Sequence, residues 1–271
     1  MSRSFLFIPG DVPRMLQQLE VFDADSVIID FEDSVATSQK DEARHLTEAF
    51  LSKHTFKTPT LYIRINPVDS AEFTRDIEAI KNLPIEGVLL PKASLKALQK
   101  MTETPIKKVI ALIETPESFF ELKAIADHSL VEGLLLGAED LSEALECQRS
   151  HQGHEILFAR SHVVMAAKSA RKIAIDTPFT EIYNEEALKS DASTAKQLGF
   201  NAKASIHPSH VDIINSIFSP STEEIRDARR IVEYADKHQS MRFSLDGKMI
   251  DRPIIERAKK LIARAKHYDL H

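Results

Sequence analysis

The 271-residue chain has no tryptophan, one cysteine and seven glycines. A lone cysteine, Cys147, excludes a disulfide within the chain and a zinc site built on thiolates. None of the glycines falls in a phosphate-cradling spacing. No run of about 18 apolar residues occurs, which argues against a membrane-spanning helix. The opening MSRSFLFIPGD has too short an apolar run, and no cleavage site, for a secretory signal. Basic charge is also scarce: 35 Lys and Arg against 41 Asp and Glu leave a net charge of −6. That is the wrong sign for a general nucleic-acid binder. The expectation is a cytoplasmic globular protein that binds neither nucleic acid nor membrane.

What is present is a repeating alternation. Apolar runs at Ser4–Pro9, Ser26–Phe31, Thr60–Ile65, Gly87–Leu90, Lys108–Ile113, Gly133–Leu136, Ile173–Ile175 and Ala202–Ile206 each precede a segment of helical period. Those segments read as Pro13–Phe22, Glu42–Phe50, Ala71–Leu83, Leu95–Met101, Pro116–Ala126, Ile156–Ala170, Glu185–Leu198 and Pro208–Phe218. A loop carrying His151, Gly153 and His154 precedes the sixth. Continuous rather than alternating apolar strands indicate a parallel sheet covered on both faces. An open doubly wound sheet fits the alternation, but eight units favour an α/β fold closed as a (β/α)8 TIM barrel over residues 1–218. Residues 219–271 read as an appended helical segment. One helix starts at Ser219-Pro220-Ser221, a short loop spans Phe243–Asp251, and a last helix, rich in Lys and Arg, begins at Pro253.

Nearly every apolar run ends in polar residues. In chain order these are Pro9-Gly10-Asp11, Asp30-Phe31-Glu32-Asp33, Arg64-Ile65-Asn66, Lys92, Glu114-Thr115, Glu139-Asp140, Asp176 and His207. A parallel barrel brings all of these ends to one mouth. Crowded carboxylates are costly without a cation. Oxygen ligands without cysteine suit magnesium or manganese, with Glu114 and Asp140 as the best-placed pair. The plainer alternative is that each acid caps the helix that follows it. Arg64, inside an apolar strand, reads as a clamp for a substrate carboxylate or an oxyanion, or as a salt bridge to Glu32 or Asp33. His151 and His154 have a metal-like spacing but read as a solvated loop, and His207 suits catalysis or a helix start equally. The basic face of Arg257, Lys259, Lys260, Arg264 and Lys266 reads as solvated, or as a partner for an anionic cofactor tail.

The motifs RSFLFIPGD (3–11), DFEDSV (30–35), RIN (64–66), LLPK (89–92), ALIETP (111–116), GAEDL (137–141), SIHPSH (205–210) and DGKMID (246–251) resemble those of the citrate lyase beta-subunit family. That family includes malyl-CoA and citramalyl-CoA lyases, and the resemblance runs over essentially the whole chain. It implies a barrel with a C-terminal helical lid reaching a neighbouring subunit, commonly in a homotrimer. It implies magnesium on Glu114 and Asp140, Arg64 beside a thioester carbonyl, and a catalytic carboxylate at Asp251. Periodicity alone reads Asp251 as an N-cap. Glu32 and Asp33 would then hold Arg64, and Pro9-Gly10 would admit a pantetheine arm. Phe7, Asn66, Lys92, Glu139 and His207 complete the candidate substrate contacts. The expected activity is carbon–carbon cleavage of a 3-hydroxyacyl thioester of CoA or an acyl carrier protein. The alternatives are an aldolase on free hydroxy-oxo acids, or malate-synthase-like or thioesterase chemistry. Two positions depart from the family pattern: Ala202, often glycine, and His210, often glutamine and expected to matter little. A start directly at the first strand favours a stand-alone enzyme over a subunit of a citrate lyase complex.

Overall fold

Strands buried on both faces must lie in a layer that is covered on both sides. In the computed structural model, which describes residues 2–54, 56, 58–239 and 242–270, the eight apolar runs form such a layer. β1 (Ser4–Pro9) is followed by α1 (Pro13–Gln17), β2 (Ser26–Asp30) by α2 (Lys40–Leu51), and β3 (Thr60–Arg64) by α3 (Phe73–Ile80). β4 (Gly87–Leu90) leads to α4 (Leu95–Thr102), and β5 (Val109–Ile113) to α5 (Pro116–Asp127). Two helices, α6 (Ala138–Ala144) and α7 (Leu157–Ser169), follow β6 (Val131–Leu136). β7 (Ile173–Asp176) with α8 (Glu185–Leu198), then β8 (Ala202–Ser205) with α9 (Val211–Phe218), complete the series.

Each strand pairs in parallel with the next, and β1 also pairs with β8, so the sheet closes into the expected TIM barrel. One apolar cluster draws on every strand, from Phe5, Ile28, Tyr62 and Leu89 through Leu112 and Leu135 to Ile175 and Ala204. The helix starts follow local rules. Ser94, Thr115 and Asn184 accept the backbone N–H groups of Ala97, Ser118 and Ala187. Among the described residues no helix is long and apolar enough to cross a membrane.

The described residues divide into two compact units, Ser2–Ser216 and the chain from Ile217 onward. In the second, α10 (Thr222–His238) opens with a reciprocal capping box between Ser221 and Glu224. The expected loop before the last helix is instead a hairpin of β9 (Phe243–Leu245) and β10 (Lys248–Ile250). Asp246 and Gly247 make its turn, both at positive φ, the two-residue Asp-Gly signal that the helical reading passed over. This hairpin packs with α10 and α11 (Arg252–His267) around Ala235, Ile250 and Ile255. Two further departures are local. The first helix stops at Gln17, and α6 occupies part of what reads as a loop, because its first-turn acids look like site residues rather than a helix start.

Asp176 does not join the acids of the mouth. It lies fully buried with Arg160, Asp191 and Lys203, two cations against two carboxylates. Arg160 grips Asp176 with two bonds of 2.9 Å, and the Lys203 ammonium stands 2.6 Å from both carboxylates. Removing one partner from a dry ion group costs far more than the group contributes net. Lys203→Met is therefore expected to lower unfolding free energy by about 3–5 kcal/mol. A denaturant midpoint equal to that of the wild type would contradict this account of the quartet.

Candidate active site

The C-terminal ends of the barrel strands enclose a cavity of about 340 Å³. Phe7 and Pro9 line it from β1, Asp30, Asp33 and Ser34 from the end of β2, and Arg64 from β3. Glu114 enters after β5, Gly137 to Asp140 after β6, Thr177 after β7 and Ile206 after β8.

Arg64 is the most constrained cation of this mouth. Asp30 and Arg64 are direct neighbours in the register of β2 and β3, and the carboxylate takes Nε and Nη2 at 2.7 and 2.6 Å. Nη1 lies 3.0 Å from Glu32 and 3.2 Å from Asp33, while the guanidinium stands 5.3 Å over the Phe7 ring. Asp30 rather than Glu32 or Asp33 is thus the principal partner, a pairing that register could have revealed and proximity in sequence did not. Burial pushes Asp30 up, but Arg64 outweighs it and holds the carboxyl below its ordinary range. Burial would lower Arg64, yet its three acids raise it above the usual arginine value. Glu32 fares differently: burial raises it to about 7 against the pull of Arg64, with Asp33 and Asp30 adding to the rise. The loop that carries these acids is fixed from beneath. The ammonium of Lys40 donates to the carbonyls of Phe31 and Glu32 at 2.7 and 2.9 Å.

Glu114 and Asp140 form the opposite electrostatic case. Glu114 is 3 % exposed, and burial pushes it up to about 8. The Lys92 backbone N–H, 2.7 Å from Oε1, opposes that rise, while Asp140 and Glu32 add to it. Lys92 makes this bond from a left-handed backbone (φ +47), a conformation that costs a non-glycine residue on the order of 1–3 kcal/mol. Gly137 makes room for the acid: a Cβ there would stand 2.6 Å from Glu114 Cβ and 2.9 Å from its Oε2. Among the described residues no group of three or more His, Cys, Asp and Glu is placed to hold a metal. Two adjacent carboxylates with cavity space beside them nonetheless fit magnesium, which commonly takes one or two protein carboxylates and fills its octahedron with water and substrate oxygens.

The other expected contacts are spread more widely. Glu139 lines the cavity but pairs with Arg149 at 3.0 Å. Asn66 turns inward, donating to Phe31 O at 2.9 Å and to Asp76 at 2.7 Å. The backbone N–H of Gly10 bonds Asp30 O, and a Cβ there would meet that carbonyl and the Phe31 ring at 2.9 Å. The Lys92 side chain is exposed, and His207 caps a short turn through Ser209. Asp251 accepts the Ile254 N–H as the N-cap of α11 in the second unit. His210, set aside as peripheral, is buried, and its Nε2 lies 3.0 Å from Ile182 O. Sequence reasoning assigned no role to Thr177, Ser34 or Ile206, whose types carry no distinguishing signal at strand ends.

The chain is similar to known proteins over nearly its whole length. The citrate lyase subunit beta of Haemophilus influenzae is 34% identical over 98% of this chain and 97% of its own length. A (3S)-malyl-CoA thioesterase of Cereibacter sphaeroides is 28% identical over 97% of this chain and 94% of its own. The crystal structure of CitE from Mycobacterium tuberculosis, in complex with magnesium, acetoacetate and coenzyme A, superposes with a TM-score of 0.86. It is 30% identical and covers 98% of both chains. Residues 3–208 match the family described as HpcH/HpaI aldolase/citrate lyase, and the chain belongs to that family of enzymes.

Proposed function

We propose that this lyase uses magnesium, or manganese in its place, to cleave a 3-hydroxyacyl thioester of the malyl-, citramalyl- or citryl-CoA type. The products would be an acyl thioester and an oxo acid. The observation that carries the reading is the buried Glu114 beside Asp140, in the same cavity as an arginine held by three acids. The magnesium- and CoA-bound relative supports the choice of cofactors.

Glu114 and Asp140 would hold the cation. When bound, it would supply Lewis acidity to the oxygens of the oxo-acid half. With the hydroxyl proton lost to solvent, cleavage between C2 and C3 forms the carbonyl of the oxo acid and leaves an electron pair on the acyl thioester's α-carbon, delocalised onto the thioester oxygen. Arg64 would stabilise that oxygen, and Asp30, Glu32 and Asp33 keep its fork in one orientation. Phe7 covers the guanidinium. A pantetheine arm would pass Pro9, which lines the cavity; Gly10 is buried against Asp30 and Phe31 and is not part of the cavity wall. Asp251 would return a proton to the α-carbon, a role that the family resemblance alone supports. On the same ground, residues 219–271 would act as a lid and the protein as a homotrimer; the composition of the sequence favours the cytoplasm. The thioesterase relative favours a second reading, hydrolysis of the same thioesters.

Incubation with magnesium and malyl-, citramalyl- and citryl-CoA tests both readings. The lyase reading expects an oxo acid and an intact acyl-CoA in equal amounts; hydrolysis gives free CoA and a hydroxy acid. Asp140→Ala is expected to lower kcat/KM by about 100-fold or more. Metal-dependent cleavage at the wild-type rate in that variant would contradict the metal assignment.

Glu114 also sets a pH dependence. Without a cation its folded value is about 8, against 4.5 for an unperturbed glutamate. Between those values the folded chain keeps a proton that the unfolded chain has lost. The stability from protonation is therefore complete below the lower value and lost as pH rises through the upper one. Metal-free protein should show a falling unfolding midpoint from about pH 5 to pH 8, and added magnesium should remove most of that fall. A fall of equal size with and without magnesium would contradict the account.

A further inference from the structure

Thr177 follows the end of β7, is 1 % exposed, and shares the cavity wall with Glu114, Ala138 and Asp140. Its carbonyl accepts a bond from the buried Lys203 ammonium at 2.7 Å. Its Oγ1 accepts the N–H of Ala138, the first residue of α6, at 3.3 Å. The N-cap of α6 is Gly137, which has no side chain to cap with and no room for one against Glu114. Thr177 thus supplies from the next strand an acceptor for one of the orphan N–H groups that open α6, which Gly137 cannot cap. A hydroxyl that accepts one bond still has a proton to donate. Among the described residues no atom accepts that proton. A buried donor without an acceptor is costly, so a guest in the cavity gains by supplying one.

We propose that Thr177 is a substrate-positioning residue that donates its hydroxyl proton to an oxygen of the oxo-acid half of the substrate, beside Glu114 and Asp140. The proposal rests on the lyase reading above. The acid half offers anionic oxygens, and hydrogen bonds to charged acceptors are the stronger kind. The donor is preorganised, because Lys203 fixes the Thr177 backbone and Ala138 fixes one lone pair of its oxygen. Loss of the hydroxyl should therefore weaken recognition of the acid half without weakening the metal or the thioester carrier.

The test is calorimetric, on the full chain. Glyoxylate, pyruvate and oxaloacetate are titrated in the presence of magnesium, and magnesium alone and CoA alone are titrated separately. Thr177→Val should weaken whichever oxo acid the wild type binds by about 10- to 100-fold. Thr177→Ser should restore binding to within about threefold, and magnesium and CoA should bind both variants like the wild type. Thr177→Ala, which removes the γ atoms altogether, should show the same loss and replaces the valine variant where burying its second methyl disturbs folding. Wild-type oxo-acid affinity in Thr177→Val or Thr177→Ala would overturn the proposal. So would a parallel loss of magnesium affinity, which would reduce Thr177 to a cap for α6. A wild type that binds none of the three oxo acids with magnesium would contradict the lyase reading itself, and this proposal with it.

Discussion

A carboxylate held out of water beside a second one resists ionisation unless a positive charge shares the space. At the barrel mouth Glu114 is buried beside Asp140, which is itself exposed, so the burial falls on Glu114, and two features of the chain are arranged around it. Gly137 lets the turn after β6 close over Glu114, where any larger residue would collide. Lys92 accepts a left-handed backbone and in return orients one oxygen of the acid. Neither arrangement helps a protein that merely needs a capped helix. Both hold a carboxyl that burial pushes up to about 8.

The Arg64 side of the cavity is also rich in acids, but it holds a cation among them. Arg64 is surrounded by three acids, so its charge is assured and its fork is fixed. Beneath the mouth, the Arg160–Asp176–Lys203–Asp191 quartet matches two cations with two acids. The acidic excess of the sequence is thus distributed unequally. Of these groups, only the quartet matches acids with cations one for one; three acids share Arg64, and Glu114 and Asp140 face the cavity.

The barrel was legible because eight apolar runs with intervening helices admit few closed solutions, and strand ends in a parallel barrel share a face by necessity. That geometry brought Phe7, Pro9, Asp33, Arg64, Glu114, Glu139 and Asp140 onto one cavity wall. What could not be read from strand ends was which way each side chain points. Asp176 and Asn66 end strands as Glu114 does, yet turn inward to Arg160 and Asp76. Thr177 has no charge to draw attention, and its importance arises from Ala138 and Lys203, 39 and 26 residues away in sequence. The hairpin at Asp246-Gly247 was missed for another reason: three-residue strands leave no period to detect.

The central claim is that Glu114 gives up a proton to admit a divalent cation beside Asp140. Magnesium titrated at pH 7 in buffers of different ionisation enthalpy measures it directly. With Glu114 near 8 in the metal-free protein, binding should release about one proton per site. Glu114→Gln should abolish both that release and most of the affinity. Tight magnesium binding with no proton released, or unchanged in Glu114→Gln, would contradict the account.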